Sequence, residues 1–215
     1  MRVTVLGASR NTGKAFVEQA LEKGGLEITI LARTPERLTF TSAQLAKITV
    51  VKGDATAKAD VARAIEGADM VVSSLGGAPS LTGIADAGVE EVATLLVLEA
   101  IKETRASSPP RLIMVSSTGV GTLRDVPLVM RPLYGLLLRT PHRHKAVAEA
   151  AIRASGVPFT LVRPALMTNG PLTRTYRAAA GASGYTISRN DVAHFVLEQC
   201  VLGDAWVGEA PVIAY

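Results

Sequence analysis

The strand–loop–helix junction at the start of the chain constrains the fold more than any other feature. Residues 2–7 form a short apolar run that predicts a buried strand, and residues 13–23 have the pattern of a helix. Gly7 and Gly13, at the two ends of the connecting loop, allow a sharp turn and let backbone amides approach a phosphate. Because the positive end of the helix would face the same phosphate, the junction predicts a dinucleotide-binding loop. The alternative is that the glycines only shape a tight turn.

Short apolar runs alternate with helical stretches along the rest of the chain. Further strands are predicted over residues 27–32, 47–52, 70–75, 111–116 and 159–163, with a last one within 209–214. Helices are predicted over residues 58–66, 86–104 and 142–154, and another is predicted from the cap formed by Ser188 and Asp191 to about residue 202. This alternation predicts an α/β fold, a doubly wound parallel sheet in a single domain over residues 1–215.

Two segments lack a clear period and are predicted to be loops on the substrate side of the sheet. The first covers about residues 119–141, with one short helical turn near 133–138. The second covers about residues 165–187, with a helical piece before Ala182. A turn over residues 107–110, marked by two serines and two prolines, is predicted to lead into the fifth strand.

Composition narrows the classes of function. The chain has 215 residues, is 48% hydrophobic and 20% charged, and can therefore bury a sizeable core. A net charge of +4 and an aromatic content of 4% do not favour a nucleic-acid surface, so we expect no nucleic-acid partner. The single cysteine, Cys200, excludes an intrachain disulfide and a cysteine-built metal site. Since a strand-like run directly follows Met1 and no apolar stretch reaches about 18 residues, we expect no membrane segment and a cytoplasmic location.

The end of the second predicted strand indicates which dinucleotide is bound. A domain that binds NAD usually has an acidic residue there, which accepts hydrogen bonds from the ribose hydroxyls. This chain has Arg33, and Arg37 and Arg10 are predicted to lie near the same place. Guanidinium groups can bind a 2′-phosphate through paired, charge-assisted hydrogen bonds, which favours NADP(H) as the cofactor. Alternatively, each arginine is a solvated surface residue.

An ordered series of motifs then points to a family. It consists of Leu31-Ala32-Arg33, Gly53-Asp54, Ser73-Ser74-Leu75-Gly76, Val115-Ser116-Ser117, and Lys145…Glu149…Ser155 continuing through residues 156–164. In this series the chain resembles the atypical short-chain dehydrogenase/reductases with a Rossmann fold. It is most similar to the NmrA-like and biliverdin-reductase-B-like group of NAD(P)-binding proteins.

The resemblance implies roles for individual residues. Asp54 and Ala55 would lie beside the adenine, Leu75 and Gly76 beside the ribose and pyrophosphate, and Pro164 with Ala165 near the nicotinamide. The loop residues predicted to bind cofactor are Gly7, Ser9, Arg10, Asn11, Thr12 and Gly13. Asp54 is open to two interpretations, because a carboxylate just after a strand can accept the adenine amino group or cap the next helix.

The chain departs from the family pattern at two positions. The family loop usually has a glycine where Arg10 stands, so the backbone there must avoid positive φ or differ in shape. The Tyr-x-x-x-Lys pair is incomplete, because Lys145 is present but Pro141 occupies the tyrosine position.

Several side chains are candidates for the chemistry. The resemblance implies that Lys145 points toward the nicotinamide ribose; the alternative is a helix-surface pair with Glu149. His142, which shares the face of Lys145 better than His144 does, would titrate near neutral pH and suit general acid catalysis.

Hydroxyl groups are further candidates. Ser116 and Ser117 lie at a strand end where α/β sheets bind ligands, and we expect them to hydrogen-bond a substrate carbonyl. Tyr134 either substitutes for the missing tyrosine or packs in the interior. No third ligand accompanies the two histidines, His142 and His144, so no metal is expected.

These expectations combine into one function and two alternatives. We expect an NADPH-dependent oxidoreductase that reduces a small carbonyl, quinone or flavin-like compound. The incomplete tyrosine–lysine pair leaves open an NADP(H)-binding sensor without turnover and a non-redox isomerase or cyclase on the same fold. The sequence does not indicate the oligomeric state.

Overall fold

The computed structural model of the chain describes residues 1–76, 78–80, 83–85, 88–104 and 108–215. The strands are β1 (Arg2–Leu6), β2 (Glu27–Ala32), β3 (Ile48–Lys52), β4 (Met70–Ser73), β5 (Ala78–Ser80), β6 (Gly83–Ala85), β7 (Arg111–Val115), β8 (Phe159–Pro164), β9 (Leu166–Thr168), β10 (Arg177–Ala179), β11 (Thr186–Ser188) and β12 (Val212–Ala214). The α-helices are α1 (Asn11–Lys23), α2 (Ser42–Leu45), α3 (Lys58–Ile65), α4 (Val89–Thr104), α5 (Arg131–Leu137), α6 (Arg139–Ala154) and α7 (Arg189–Phe195). The predicted start of a helix at Asp86 and the first residue of the predicted turn, Ser107, lie outside the described residues.

Eight of these strands form one sheet in the order β10-β12-β8-β7-β4-β1-β2-β3. All neighbouring pairs are parallel except β10, which runs antiparallel to β12. The chain builds β1, β2 and β3 in one direction and then returns to place β4 on the other side of β1. This confirms the predicted α/β fold, a doubly wound parallel sheet. It also places a topological switch between β1 and β4, where such sheets bind ligands.

Helices cover both faces of the sheet, which explains why the strands are apolar throughout. On one face, Val5 of β1 belongs to a buried cluster with Phe16 of α1 and Phe195 of α7. On the other face, Leu6 of β1 belongs to a cluster that includes Ile101 of α4. Because neighbouring residues of one strand enter different cores, both faces of β1 are under packing constraint.

The segment over residues 119–141 is more helical than predicted. It contains a 3-10 turn at Leu128–Met130 and the helix α5, and α6 begins at Arg139 rather than at His142. Pro132 and Pro141 lie in the first turns of α5 and α6. A proline is tolerated there because the first backbone N–H groups of a helix have no partner within that helix. The prolines therefore mark helix starts, not a loop.

The segment over residues 165–187 is extended, so the predicted helical piece is wrong. It contains β9 and β10 and leads into β11, which pairs in parallel with β9. The Asp191 carboxylate accepts hydrogen bonds from the backbone N–H groups of Thr173 (2.9 Å) and Arg174 (2.7 Å). These bonds satisfy local backbone groups without a helix.

The predicted cap of α7 is present in part. The Ser188 side chain accepts a hydrogen bond from the Asp191 N–H at 3.0 Å. The reciprocal bond of a capping box is missing, because the Ser188 N–H donates to the Tyr215 hydroxyl at 3.1 Å. Beyond α7 the helix continues with π geometry over Val196–Val201, close to the predicted end.

No helix among the described residues combines the length and hydropathy that a bilayer crossing requires.

Candidate functional site

The predicted site residues gather at the edge of the sheet where the parallel strands end. The loop after β1, Arg33 after β2, Leu75 after β4, Ser116 after β7 and Ala165 after β8 all belong to this edge. Because carboxyl ends of parallel strands share an edge, residues far apart in the chain come together there.

The glycines of the first loop are required by close contacts. Gly7 has φ of +87°, and a Cβ atom on it would lie 2.5 Å from the carbonyl oxygen of Ser74. A Cβ atom on Gly13 would lie 2.3 Å from the carbonyl oxygen of Gly7. The loop after β1 thus packs directly against the loop after β4 and the start of α1. This tight turn, the glycine cradle, fixes the backbone amides at the N-terminus of α1, a position that fits a pyrophosphate.

Arg10 replaces the usual glycine of the loop without strain. Its backbone is extended, with φ of −161° and ψ of 172°, which any residue adopts. The positive φ falls instead on Asn11, at 55°, and asparagine tolerates this conformation. Ser9, Arg10 and Asn11 are exposed. Thr12 is buried and its hydroxyl lies 3.6 Å from the Met167 sulfur, which leaves its backbone as the group able to contact a phosphate.

Arg33 and Asp54 meet beyond the ends of β2 and β3. Nη1 of Arg33 lies 3.9 Å from Oδ2 of Asp54, and 65% of the Arg33 side chain is exposed. Oδ1 of Asp54 accepts hydrogen bonds from the N–H (2.8 Å) and hydroxyl (2.7 Å) of Thr56. These bonds lower the pKa of Asp54, and they show that one oxygen holds a local turn. Arg37 ends the adjacent 3-10 turn and is also exposed.

The remaining predicted cofactor contacts differ in accessibility. Gly76 is exposed, and no heavy atom lies within 4 Å of a Cβ built on it. Leu75 is half-buried, whereas Ala55 and Ala165 are buried. The N–H of Ala165 already donates to the carbonyl of Ile213 at 3.0 Å, so only its carbonyl and methyl can face a ligand. Pro164 accepts from the Thr118 N–H at 3.0 Å.

Lys145 pairs with Glu90 of α4, so the alternative pair with Glu149 is wrong. The Lys145 ammonium donates to Oε2 of Glu90, and it lies 3.5 Å from the carbonyl oxygen of Val115 at the end of β7. The Lys145 side chain is 15% exposed and that of Glu90 is 4% exposed. Burial raises the pKa of Glu90, although the charge of Lys145 opposes this shift. Nothing in the sequence predicted Glu90, because the contact spans 55 residues.

Glu149 belongs to a second buried network. It accepts hydrogen bonds from the Ser116 hydroxyl at 2.6 Å and from Nε of Arg163 at 3.2 Å, and a further Arg163 nitrogen donates to its other oxygen. Arg163 also lies 3.8 Å from Asp125, which accepts from the Gly119 N–H at 3.0 Å. Ser116 therefore directs its proton to Glu149 and not to a substrate, which corrects the expectation that it donates to a carbonyl.

Ser117 remains the freer of the two serines. It is half-buried, and its hydroxyl donates only to the carbonyl of Thr118 at 2.9 Å. Because a serine hydroxyl can rotate about its Cβ–Oγ bond, Ser117 can turn its proton from this carbonyl toward a substrate.

A cavity of about 290 Å³ lies beside this edge, between α5, α6 and the loop after β7. His142 and Tyr134 line it, with their ring centroids 5.7 Å apart. Burial, and then the charge of Lys145, lower the pKa of His142 to about 4. His142 is thus neutral at pH 7, which corrects the expectation that it titrates near neutrality. The Tyr134 hydroxyl accepts from Oγ1 of Thr118 at 3.3 Å, so its own proton has no acceptor among the hydrogen bonds of the described residues.

Arg163, Asp125 and Glu90 belong to the polar networks of the candidate site, and the sequence analysis did not single them out. Only Arg163 carried a signal, since a charge inside an apolar strand requires a buried partner. The described part of the chain contains no group of three or more His, Cys, Asp or Glu side chains that could hold a metal ion.

Comparisons with known proteins agree with this geometry. The profile of a family described as NAD(P)H-binding matches residues 7–201. Reductase pytE of Aspergillus terreus is 30% identical over 260 aligned residues, which cover 99% of this chain and 97% of that protein.

Solved structures give the same fold. A short-chain dehydrogenase/reductase of Veillonella parvula in complex with NADP is 18% identical with a TM-score of 0.78, and the match covers 100% of this chain and 94% of that one. ChuY, an anaerobillin reductase of Escherichia coli O157:H7, is 20% identical with a TM-score of 0.73, covering 100% of this chain and 97% of that one. At these identities the two structures show a shared fold.

Proposed function

Because this chain belongs to the NAD(P)H-binding family and is an atypical short-chain dehydrogenase/reductase, we propose that it is an NADPH-dependent reductase of a small carbonyl, quinone or flavin-like compound. The observation that carries the proposal is the shared edge of the sheet. There the glycine cradle follows β1, the Lys145 ammonium lies against the last carbonyl of β7, and the cavity beside His142 adjoins the loop after β7. The names of two similar proteins, reductase pytE and ChuY, support reduction as the type of reaction.

The arginines near the end of β2 support NADPH over NADH. Arg33, Arg37 and Arg10 are exposed, and no acidic residue occupies the Arg33 position. A 2′-phosphate would offer these three guanidinium groups an anion, whereas with NADH Arg33 would keep only its exposed pair with Asp54, 3.9 Å away. The NADP bound in the Veillonella parvula structure is consistent with this preference.

Each group of the site has a defined task in the proposed reaction. Bound NADPH supplies a hydride to the substrate. Amides of the Gly7–Gly13 cradle hold the pyrophosphate, and Lys145, fixed by Glu90, stabilises negative charge that develops on the substrate oxygen. Ser117 can donate a hydrogen bond to that oxygen. Burial raises the pKa of Tyr134, so at neutral pH its hydroxyl keeps the proton that it would donate in the cavity.

Consumption of NADPH with a panel of quinones, flavins and aromatic ketones tests the proposal. We expect turnover by the natural chain and a loss of roughly a hundredfold or more in kcat for Lys145→Met, since one charge-stabilising group is worth about 3–4 kcal/mol. Calorimetry of NADPH binding serves as the control, because it separates lost chemistry from lost cofactor. Tight binding of NADPH without turnover of any compound would favour the sensor over the reductase.

A further inference from the structure

We propose that the cavity between α5 and α6 binds an anionic group of the substrate, most simply a carboxylate, through Arg139 and Arg143. The proposal deepens the proposed function and rests on it for the redox step, but anion binding can be measured without turnover. The site joins two cationic side chains to a mainly apolar cavity, so the ligand class is an aromatic or otherwise apolar compound that carries a carboxylate.

One stripe of α6 forms a wall of the cavity. Arg139, His142, Arg143 and Ala146 all line it. Their spacing of three, one and three residues places them on one face of a helix. The stripe therefore presents two guanidinium groups and a neutral imidazole to the same space.

Among the described residues, the two arginines of this stripe have no acidic ion-pair partner, unlike the basic side chains on the next face of the same helix. His144 lies 2.6 Å from Oε2 of Glu91, and Lys145 donates to Glu90. None of the ion pairs formed among the described residues includes Arg139 or Arg143, and no acidic residue lines the cavity. α4 thus neutralises one cationic face of α6, while the face toward the cavity keeps its charge.

An unpaired arrangement of this kind is unfavourable without a ligand. Two arginines four residues apart on a helix repel each other. His142 adds no charge at neutral pH, because its pKa is about 4. A carboxylate between the guanidinium groups would remove the repulsion and accept charge-assisted hydrogen bonds.

The rest of the cavity suits an apolar body. Tyr134 and Leu123 provide an aromatic and an aliphatic surface, and a volume of about 290 Å³ matches a compound of one or two rings. Gly119, which lines the cavity, follows Ser117 by two residues, and Lys145 follows the lining residue His142 by three residues on α6. A substrate held there by its carboxylate would extend its reactive end toward the lysine.

Calorimetry on the protein saturated with NADP tests the site with a matched pair of probes, 4-acetylbenzoate and its neutral analogue 4-acetylbenzamide. We expect the carboxylate to bind about tenfold more tightly, because one charge-assisted contact is worth about 1.4 kcal/mol or more. Arg139→Gln combined with Arg143→Gln should abolish this preference and leave the Kd of NADPH unchanged. Arg153→Gln, an exposed arginine at the other end of α6, is the matched control and should keep the preference.

The outcomes separate this proposal from the reductase. Equal affinity for the two probes, no measurable binding of the carboxylate, or a preference that survives the double variant would overturn the anion site. If the double variant weakened NADPH instead, the arginines would belong to the cofactor site and the proposal would be wrong. A preserved carboxylate preference without NADPH consumption would contradict the reductase proposal and would still support the anion site.

Discussion

Reversal of the charge at Arg33 is the sharpest test of cofactor choice. A hydrogen bond to a charged group contributes about 1.5–3 kcal/mol, and the solvent exposure of Arg33 favours the lower part of this range, about 2 kcal/mol. In Arg33→Asp, repulsion between the new carboxylate and a 2′-phosphate adds about 1 kcal/mol at a separation near 4 Å in a solvated site. The sum of about 3 kcal/mol corresponds to a Kd for NADPH raised roughly 150-fold. Arg33→Gln, which lacks the repulsion, should raise it about 30-fold.

The same substitutions should change the Kd of NADH less than about twofold, because NADH has no 2′-phosphate. The exposed pair of Arg33 with Asp54 is also lost, but such pairs contribute at most about 1 kcal/mol and would affect both cofactors alike. Isothermal calorimetry with each cofactor measures the two constants. Lys47→Asp is the control, since it changes net charge equally at the opposite end of β3. Equal losses for NADPH and NADH would refute the role of Arg33 in binding the 2′-phosphate.

Three further substitutions test the cradle, the buried network and the titration of the cavity wall. Gly13→Ala places a Cβ atom 2.3 Å from a backbone oxygen. We therefore expect the free energy of unfolding in urea to fall by about 2 kcal/mol or more and NADPH binding to be lost. Gly135→Ala is the control, because its Cβ atom would meet open space, and it should keep both its stability and its NADPH binding. Glu149→Gln leaves the partly buried Arg163 guanidinium with only the Asp125 carboxylate, 3.8 Å away, and should cost about 1.5–3 kcal/mol by the same assay; a loss below about 1 kcal/mol would contradict the network. The pKa of His142 is about 4 in the fold against an ordinary 6.5, so the unfolded chain binds more protons between these values and stability falls as pH drops from 6.5 to 4. His142→Gln should reduce that fall by roughly 2 kcal/mol after allowance for partial solvation, and an unchanged slope would show that His142 is not the titrating group.

The parts of the fold that could be predicted are those that local sequence determines. The junction from β1 through Gly7 to Gly13 and α1 was predictable, because strand, turn and helix each have their own pattern within a few residues. The helical content of residues 119–141 was not, since Pro141 fits both a loop and the first turn of a helix. Tertiary packing decides between a loop and a helix start, and the local sequence carries no information about that packing.

In the candidate site too, local sequence predicted some features, and tertiary packing determined the others. Lys145 and its place on a helix followed from sequence motifs, but its partner Glu90 did not, because an ion pair between two helices depends on how they pack. The sequence predicted His142 as a residue of the site, but the prediction that it titrates near neutral pH was wrong. Its burial against Tyr134 and the charge of Lys145 lower its pKa, and both effects arise only in the folded chain.

The loss of the family tyrosine at Pro141 is compatible with catalysis because α5 and α6 share a cavity. A tyrosine at position 141 would approach the substrate from α6, one turn before Lys145. In this chain the first two turns of α6 instead carry Arg139 and Arg143 to the wall of the cavity, and in the proposed reaction the phenol is that of Tyr134 on α5. Where the family pattern has a proton donor on α6, the proposed site thus has its anion-binding arginines, and the proton donor lies on the neighbouring helix.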